Sequence, residues 1–208
     1  MVEYFFPYKD LMDSDWEEVL ETYIPRMINT QSVFDYYLNL KEVFALINDS
    51  HAFGYSSYLS YYFGYYQVPA EVRFIESKTI VTRVYDELMV PAQGLCPGDI
   101  ILKTHGQDIG QFRDQHRKYV AASNESALER NLCSYVIRSR TPEITLTIDR
   151  GGQVMDVTVQ GYYTYLINRH LQTLNAQETK WKILPGNIGF VHMGVLKFED
   201  IPRYYKEP

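Results

Sequence analysis

Basic residues are in the minority in this chain. Its 208 residues include 20 lysines and arginines against 26 aspartates and glutamates, which gives a net charge of −6. Proteins that bind nucleic acids need clustered basic side chains to contact the phosphates. No run of about 18 apolar residues is present either, and a helix needs such a run to cross a bilayer. We therefore expect neither a nucleic-acid partner nor a membrane span.

A secretory leader and a metal-binding cluster are also missing from the sequence. Met1 is followed by acidic and aromatic residues instead of a basic segment and an apolar core, so we expect no signal peptide in this chain. Cys96 and Cys133 lie far apart, and their spacing leaves open whether they pair or remain thiols. No histidine is spaced from a cysteine or another histidine as metal ligands are. We expect no metal and no cofactor, and we predict structural roles for four scattered histidines: His105, His116, His170 and His192.

Helical periodicity dominates the first 50 residues. The first stretch, 14–28, starts with Ser14 and Glu17, which fit a capping box. It also contains Pro25, which is expected to kink or end the helix. Apolar residues at helical spacing indicate a second helix from about Thr30. These patterns predict an N-terminal helical unit over residues 1–52.

Tyrosine is unusually abundant, with nineteen in the chain and a concentration in the connector 53–69. Neither the helical nor the strand period holds across residues 53–66, so we predict a loop or an irregular strand pair there. Tyrosine with serine and glycine is typical of adaptable binding surfaces, and the segment could line a substrate cleft. Packing between the helical unit and the following domain is the alternative that we favour.

Alternation with a period of two begins at residue 70. It predicts strands at 72–76 and 79–84 and a hairpin over 143–159. Two helices are expected between them, the second starting near Asn124. Residues 186–195 indicate a further strand, and residues 198–207 a short helix. The fold class is therefore predicted to be α+β.

The stretch GLCPGDIIL, residues 94–102, resembles the signature of bacterial PDZ domains. Gly94 and Gly98 suit backbone angles that a Cβ would penalise, and Asp99 can accept hydrogen bonds from the amides of the turn. The resemblance implies a PDZ-like partly open β-barrel with inserted helices over residues 70–162, following the helical unit.

The order of segments extends this resemblance to a family. A helical unit that ends in DSHA (49–52), a PDZ-like domain and a strand reading NIGFV (187–191) together resemble the C-terminal-processing and tricorn-type serine peptidases. In that family a strand of this kind opens the catalytic domain. The resemblance implies that residues 163–208 are a linker and the start of that domain, and that the chain stops before the nucleophile. The chain alone is then expected to be inactive.

The same resemblance places the general base of the family on His51 and its orienting hydroxyl on Ser50. It implies that the nucleophilic serine, a second serine and a glutamate come from the catalytic domain. Imidazole can take the proton of a serine near neutral pH, provided that a neighbouring group holds it in one tautomer. Asp49 could do this as well as Ser50. The alternative is that Asp49 and Ser50 only end a helix and that His51 follows them.

The function implied by the resemblance is that of a serine endopeptidase acting on peptides or unfolded proteins. The present chain would supply the base and position the substrate, and the enzyme would be periplasmic or at the cell surface. Two alternatives remain: a stand-alone PDZ-like module that binds peptides or proteins, and a family member whose catalytic site has decayed. The sequence does not indicate an oligomeric state.

Overall fold

The computed structural model describes residues 2–85, 94–177 and 181–191, and the chain divides into two compact units, residues 1–164 and 165–208. The predicted domain boundaries after residues 52, 69 and 162 stay predictions. The helices of the first unit are α1 (Val2–Phe5), a 3-10 turn (Lys9–Leu11), α2 (Trp16–Ile28), α3 (Val33–Ala45), α4 (Ser57–Phe63), α5 (Ile109–Arg117) and α6 (Glu125–Val136). Its strands are β1 (Tyr66–Gln67), β2 (Ala70–Ile75), β3 (Lys78–Val84), β4 (Ile100–Thr104), β5 (Gln107–Asp108), β6 (Arg138–Ser139), β7 (Glu143–Arg150), β8 (Gln153–Gln160) and β9 (Tyr162–Tyr163).

Helix α2 begins and ends differently from the prediction. Its N-cap is Asp15, whose carboxylate accepts hydrogen bonds from the amides of Glu17 and Glu18, so the capping box expected at Ser14 is wrong. An aspartate at the N-cap satisfies two of the amides that a helix start leaves without partners.

Pro25 lies inside α2, and the helix continues past it to Ile28. The proline removes one hydrogen bond close to the end of the helix, where few remain to be lost. The Asn29 amide and the Asn29 side chain both donate to the Pro25 carbonyl, at 3.0 and 2.8 Å, and close the last turn. The predicted stop at Pro25 is therefore wrong, and the predicted kink stays a prediction.

A buried carboxylate on α3 joins the helical unit to a later part of the chain. Glu42 is only 6% exposed and accepts hydrogen bonds from Tyr23 (3.0 Å), Arg26 (3.0 Å) and Lys118 (2.8 Å). Tyr23 and Arg26 belong to α2, whereas Lys118 directly follows α5. Burial opposes ionisation, but the hydrogen bonds from Lys118 and Tyr23 outweigh it and lower the pKa of Glu42. The group is therefore charged at neutral pH and fixes three segments relative to one another.

The tyrosine-rich stretch contains a helix that the sequence did not predict. Helix α4 is capped by Ser56 and buries Leu59 and Phe63 in a cluster with Tyr119. Helix α4 has only seven residues, or about two turns. Tyrosines lie on more than one of its faces, so no helical period of apolar residues is visible in the sequence. The predicted loop or irregular strand pair over 53–66 is therefore wrong.

The larger sheet of the first unit is antiparallel, in the order β2-β3-β4-β7-β8, with β5 also pairing β4. The predicted hairpin is confirmed as β7 and β8, with Ile144 opposite Val159 and Leu146 opposite Val157. A smaller sheet has the order β6-β1-β9. The mixed helix-and-sheet class is confirmed. Within the described residues neither sheet closes into a barrel, so the PDZ-like barrel is not confirmed.

The glycine-rich motif before β4 forms the predicted turn. Gly94 and Gly98 have φ angles of +86° and +96°, which favour glycine. Asp99 is 1% exposed and accepts from the Cys96 amide (2.7 Å) and, through both carboxylate oxygens, from Arg150 (2.7 Å each). Arg150 also donates to the Gly94 carbonyl, so it ties the hairpin β7–β8 to both ends of the turn.

Both cysteines are free thiols. Cys96 is exposed in this turn, while Cys133 is buried on α6. Spacing left open whether the two cysteines pair, and the structure shows that they do not form a disulfide.

The second unit holds most of α7 (Thr164–Gln177) and an antiparallel hairpin of β10 (Trp181–Leu184) and β11 (Ile188–Val191). The predicted strand is confirmed over Ile188–Val191. Its continuation to residue 195 and the helix predicted at 198–207 lie outside the described residues.

The bidentate contact between Asp99 and Arg150 makes a prediction about stability. We expect Asp99→Asn to lower the free energy of unfolding of the chain by about 2 kcal/mol, because the buried site loses a charge-assisted pair. Burial disfavours the ionised form, but hydrogen bonds from Arg150 and the Cys96 amide outweigh it and lower the pKa of Asp99. The stabilisation is then fully present above the ordinary aspartate pKa of about 4 and is lost as pH falls through the folded-state value.

Urea unfolding at pH 7 and at several acidic values measures this difference. Asp114→Asn, at an exposed position on α5, is the matched control. An Asp99→Asn variant as stable as the control at pH 7 would contradict the prediction.

Candidate active site

The candidate base, His51, lies in a tight turn that follows α3. Asn48 adopts a φ of +56°, a left-handed conformation that asparagine tolerates better than most residues. Oδ1 of Asp49 then accepts a hydrogen bond from the His51 amide at 2.8 Å and lies 2.9 Å from Nδ1 of the same residue. The Ala52 amide donates to the Asp49 carbonyl at 2.9 Å and closes the turn. The ring is thus held by its own loop.

The contact with Asp49 determines which ring nitrogen carries the proton. Hydrogen bonds from the His51 amide and then from its ring lower the pKa of Asp49, so this carboxyl is ionised at neutral pH. An ionised carboxylate can only accept, and the neutral ring therefore carries its proton on Nδ1. The side chain of His51 is 94% exposed, which leaves the Nε2 edge open to a group that brings a proton to it.

Ser50, the other predicted site residue, contacts a distant segment and not the ring. Its amide donates to Oγ of Ser123 at 3.0 Å, and the Ser123 amide donates to Oγ of Ser50 at 3.1 Å. The two hydroxyl oxygens are 3.2 Å apart. Among the described contacts, Asp49 is the residue that orients the imidazole, while Ser50 anchors the loop.

A second reciprocal pair anchors the other side of the turn. The Asp13 amide donates to Oδ1 of Asn48 at 3.2 Å, and Nδ2 of Asn48 donates to the Asp13 carboxylate at 2.9 Å. Sequence analysis missed both Asp13 and Ser123. They are 35 and 73 residues from their partners, and no local pattern indicates such contacts.

His51 and Asp49 lie on the wall of a groove of about 720 Å³ in the first unit. A volume of this size is within the range of sites that hold small ligands or a few residues of a peptide. Its lining also includes the N-terminal residues Tyr8 and Met12 and, from the segment 118–124, Ser123.

Cationic groups beside this groove are compensated by carboxylates. Lys118 pairs with Glu42 at 2.8 Å, and Arg117 pairs with Glu125 at 2.8 Å and with Glu129 at 2.9 Å. The groove therefore lacks the unpaired basic cluster that a phosphate-rich ligand would need. Over residues 2–85, 94–177 and 181–191, no group of three or more His, Cys, Asp or Glu side chains is placed to hold a metal ion. In the same ranges no helix has the length and apolar character needed to cross a membrane.

The other histidines occupy separate places in the fold. His105 lies in the turn after β4. His116 stacks on Phe112 at 4.0 Å between ring centroids, and its Nδ1 is 2.7 Å from the Phe112 carbonyl; burial lowers the pKa of His116. His170 is buried on α7, and His192 is outside the described residues.

One family model matches part of the chain. The family model described as the N-terminal domain of the Bacteroidetes S41 peptidase family matches residues 75–160. Over that stretch the chain is similar to the N-terminal domain of S41 peptidases. This confirms the resemblance to C-terminal-processing peptidases, while the tricorn-type branch stays a prediction. The match does not include residues 48–52.

Solved structures show a similar fold. The crystal structure of mature CPAF is similar with a TM-score of 0.53 and 15% identity, over 79% of this chain and 33% of that one. The structure of a serine-to-alanine mutant of CPAF gives a TM-score of 0.50 and 16% identity, over 78% and 33%. The chain thus spans about a third of the length of these structures. A search of curated proteins finds no match.

The Asp49–His51 contact predicts a tautomer that can be measured. We expect the neutral His51 ring to carry its proton on Nδ1, and we expect Asp49→Ala to shift the ring towards the Nε2-protonated form, which is favoured in free histidine. Long-range nitrogen–proton NMR correlations of the imidazole, recorded above the histidine titration range, distinguish the two forms. Asp114→Ala serves as the control. An unchanged tautomer in Asp49→Ala would show that the carboxylate does not orient the ring.

Proposed function

We propose that this chain is the N-terminal part of a serine endopeptidase and that His51 is the general base of the full-length enzyme. The observation that carries the proposal is the exposed imidazole, held through Nδ1 by an ionised carboxylate and set on the wall of a groove. A histidine whose only task was to end a helix would not need a second group to orient its ring. The match of residues 75–160 to an S41 peptidase domain adds support.

The chemistry assigned to the ring is an ordinary acyl transfer. Nε2 of His51 takes the proton of a serine hydroxyl that the catalytic domain contributes, as the serine oxygen attacks the peptide carbonyl. The same nitrogen then gives this proton to the departing amine, and a water molecule later hydrolyses the acyl-enzyme. Since the serine belongs to the catalytic domain in this proposal, the 208-residue chain alone is expected to be inactive.

The PDZ-like part is proposed to position the substrate. Strand β2 pairs only with β3 among the described residues, so one edge of the larger sheet lies at β2. An extended peptide can add to such an edge through backbone hydrogen bonds, whatever its side chains are. This mode suits peptides and unfolded proteins as substrates, because both present free extended backbone. It also suits a binding module without catalysis, which is the competing function.

We further propose that the full-length protein works in the periplasm or at the cell surface, as the family resemblance implies. Cell fractionation with an antibody against this chain tests the location, and recovery only in the cytoplasmic fraction would contradict it.

Hydrolysis of labelled casein by the full-length protein tests the assignment of the base. We expect His51→Ala to lower kcat by a factor of about 10²–10⁴, the usual contribution of a positioned general base. His105→Gln changes a histidine in an exposed turn and should keep wild-type activity. Reaction with a fluorophosphonate probe gives a second reading, since it requires an activated serine.

The outcomes separate the alternatives. Equal activity of His51→Ala and the wild type removes His51 from the mechanism. A wild-type protein that binds peptides but neither cuts casein nor reacts with the probe is a binding module or a family member with a decayed site.

A further inference from the structure

We infer that Ser123 is a positioning residue for His51, acting through Ser50, and this inference rests on the proposed function. Ser123 lies in the segment 118–124, which connects α5 to α6, and so it belongs to a different part of the first unit from the helices that carry His51. Neither residue type nor spacing singles it out in the sequence. The inference comes from the reciprocal contact between Ser50 and Ser123.

The segment that carries Ser123 is itself fixed on both sides. Tyr119, Val120 and Ala121 are buried, and Nδ2 of Asn131 donates to the Ala121 carbonyl at 3.3 Å. The next residue, Asn124, caps α6 by accepting the Ala127 amide at 2.9 Å. Ser123 therefore stands on a rigid base although its own side chain is exposed.

The contact with Ser50 transmits this rigidity to the turn that holds His51. Each serine amide donates to the other serine hydroxyl, at 3.0 and 3.1 Å, and the hydroxyl oxygens are 3.2 Å apart. One backbone amide of the turn and one of the segment 118–124 are thus bonded to the protein instead of water. Ser50 is covalently next to His51, so a displacement of its backbone displaces the imidazole.

The other anchor of the turn, between Asn48 and Asp13, cannot replace this contact. It lies before Asp49, whereas the Ser50–Ser123 contact holds the residue that directly precedes His51. The two anchors lie on either side of Asp49, and Ser50 is next to His51, so together they hold both members of the Asp49–His51 pair. Removal of the Ser123 hydroxyl takes away the acceptor of the Ser50 amide and leaves only the hydrogen bond from the Ser123 amide to Oγ of Ser50.

Loss of this anchor should affect the rate and not the binding of substrate. A general base works only when its nitrogen is within hydrogen-bond reach of the nucleophile, and a misplacement of about 1 Å can cost 10²-fold in rate. The reciprocal contact is at the surface, where hydrogen bonds exchanged with water contribute little to stability. The effect on kcat should therefore exceed any effect on KM or on unfolding.

The test compares variants of the full-length protein in casein hydrolysis. We expect Ser123→Ala to lower kcat by about 10- to 100-fold with little change in KM, given the sensitivity of rate to the placement of a base. Ser123→Thr restores a hydroxyl and should recover most of the activity. Ser126→Ala, an exposed serine on α6, is the matched control for the loss of a hydroxyl. All variants should unfold at the same temperature as this control.

His51→Ala and Ser50→Ala complete the set. Because Ser50 and Ser123 act as one contact, the double variant should be no slower than the slower of the two single variants. If His51→Ala is inactive while Ser123→Ala equals Ser126→Ala, the inference about Ser123 is overturned and the proposed function stands. A change confined to KM, or no rescue by threonine, also overturns it. If His51→Ala keeps wild-type activity, the proposed function fails and this inference fails with it.

Discussion

The buried charge of Glu42 is the constraint on which the geometry of the site depends. A carboxylate removed from water loses several kcal/mol of hydration unless hydrogen bonds replace its shell. Here the replacement comes from Tyr23 and Arg26 on α2 and from Lys118 after α5. Loss of any one donor would leave this carboxylate, which is 6% exposed, with fewer hydrogen bonds to replace its hydration. The bond from Lys118 therefore holds the helical unit against the segment 118–124, the same segment whose Ser123 contacts Ser50.

Local chemistry accounts for the parts of the fold that the sequence predicted well. The glycines and Asp99 of the turn, the alternation over 143–159 and the Asn124 cap all act within a few residues, and each is present in the structure. Pro25 and α4 show the limit of this reasoning. A proline close to a helix end costs little once Asn29 closes the turn, and packing of Leu59 and Phe63 on Tyr119 stabilises a helix too short to show a period.

The candidate site also combines residues that local sequence patterns indicate with residues that they do not. His51 could be found because it stands at the end of a helical pattern and within a DSHA stretch that resembles a family. Asp49 was one of two possible orienting groups, and only the 2.9 Å contact with Nδ1 distinguishes it from Ser50. Ser123 could not be found, because a serine next to an N-cap has a sufficient local explanation. Its contact with Ser50 crosses 73 residues, and the burial of Glu42 among Tyr23, Arg26 and Lys118 likewise depends on tertiary packing that no local pattern indicates.

A further consequence concerns the single proton on Nδ1, which can be donated to one carboxylate at a time. The family resemblance implies a glutamate from the catalytic domain; under the proposed function, a carboxylate that approached Nδ1 of His51 would meet Asp49 there. The Asp49–His51 pair is exposed, and exposed pairs of this kind contribute little free energy. Exchange of one carboxylate for the other would therefore cost little, and both acceptors require the same tautomer. In the proposed enzyme, Asp49 would thus keep the proton on Nδ1 without preventing a second carboxylate from taking its place.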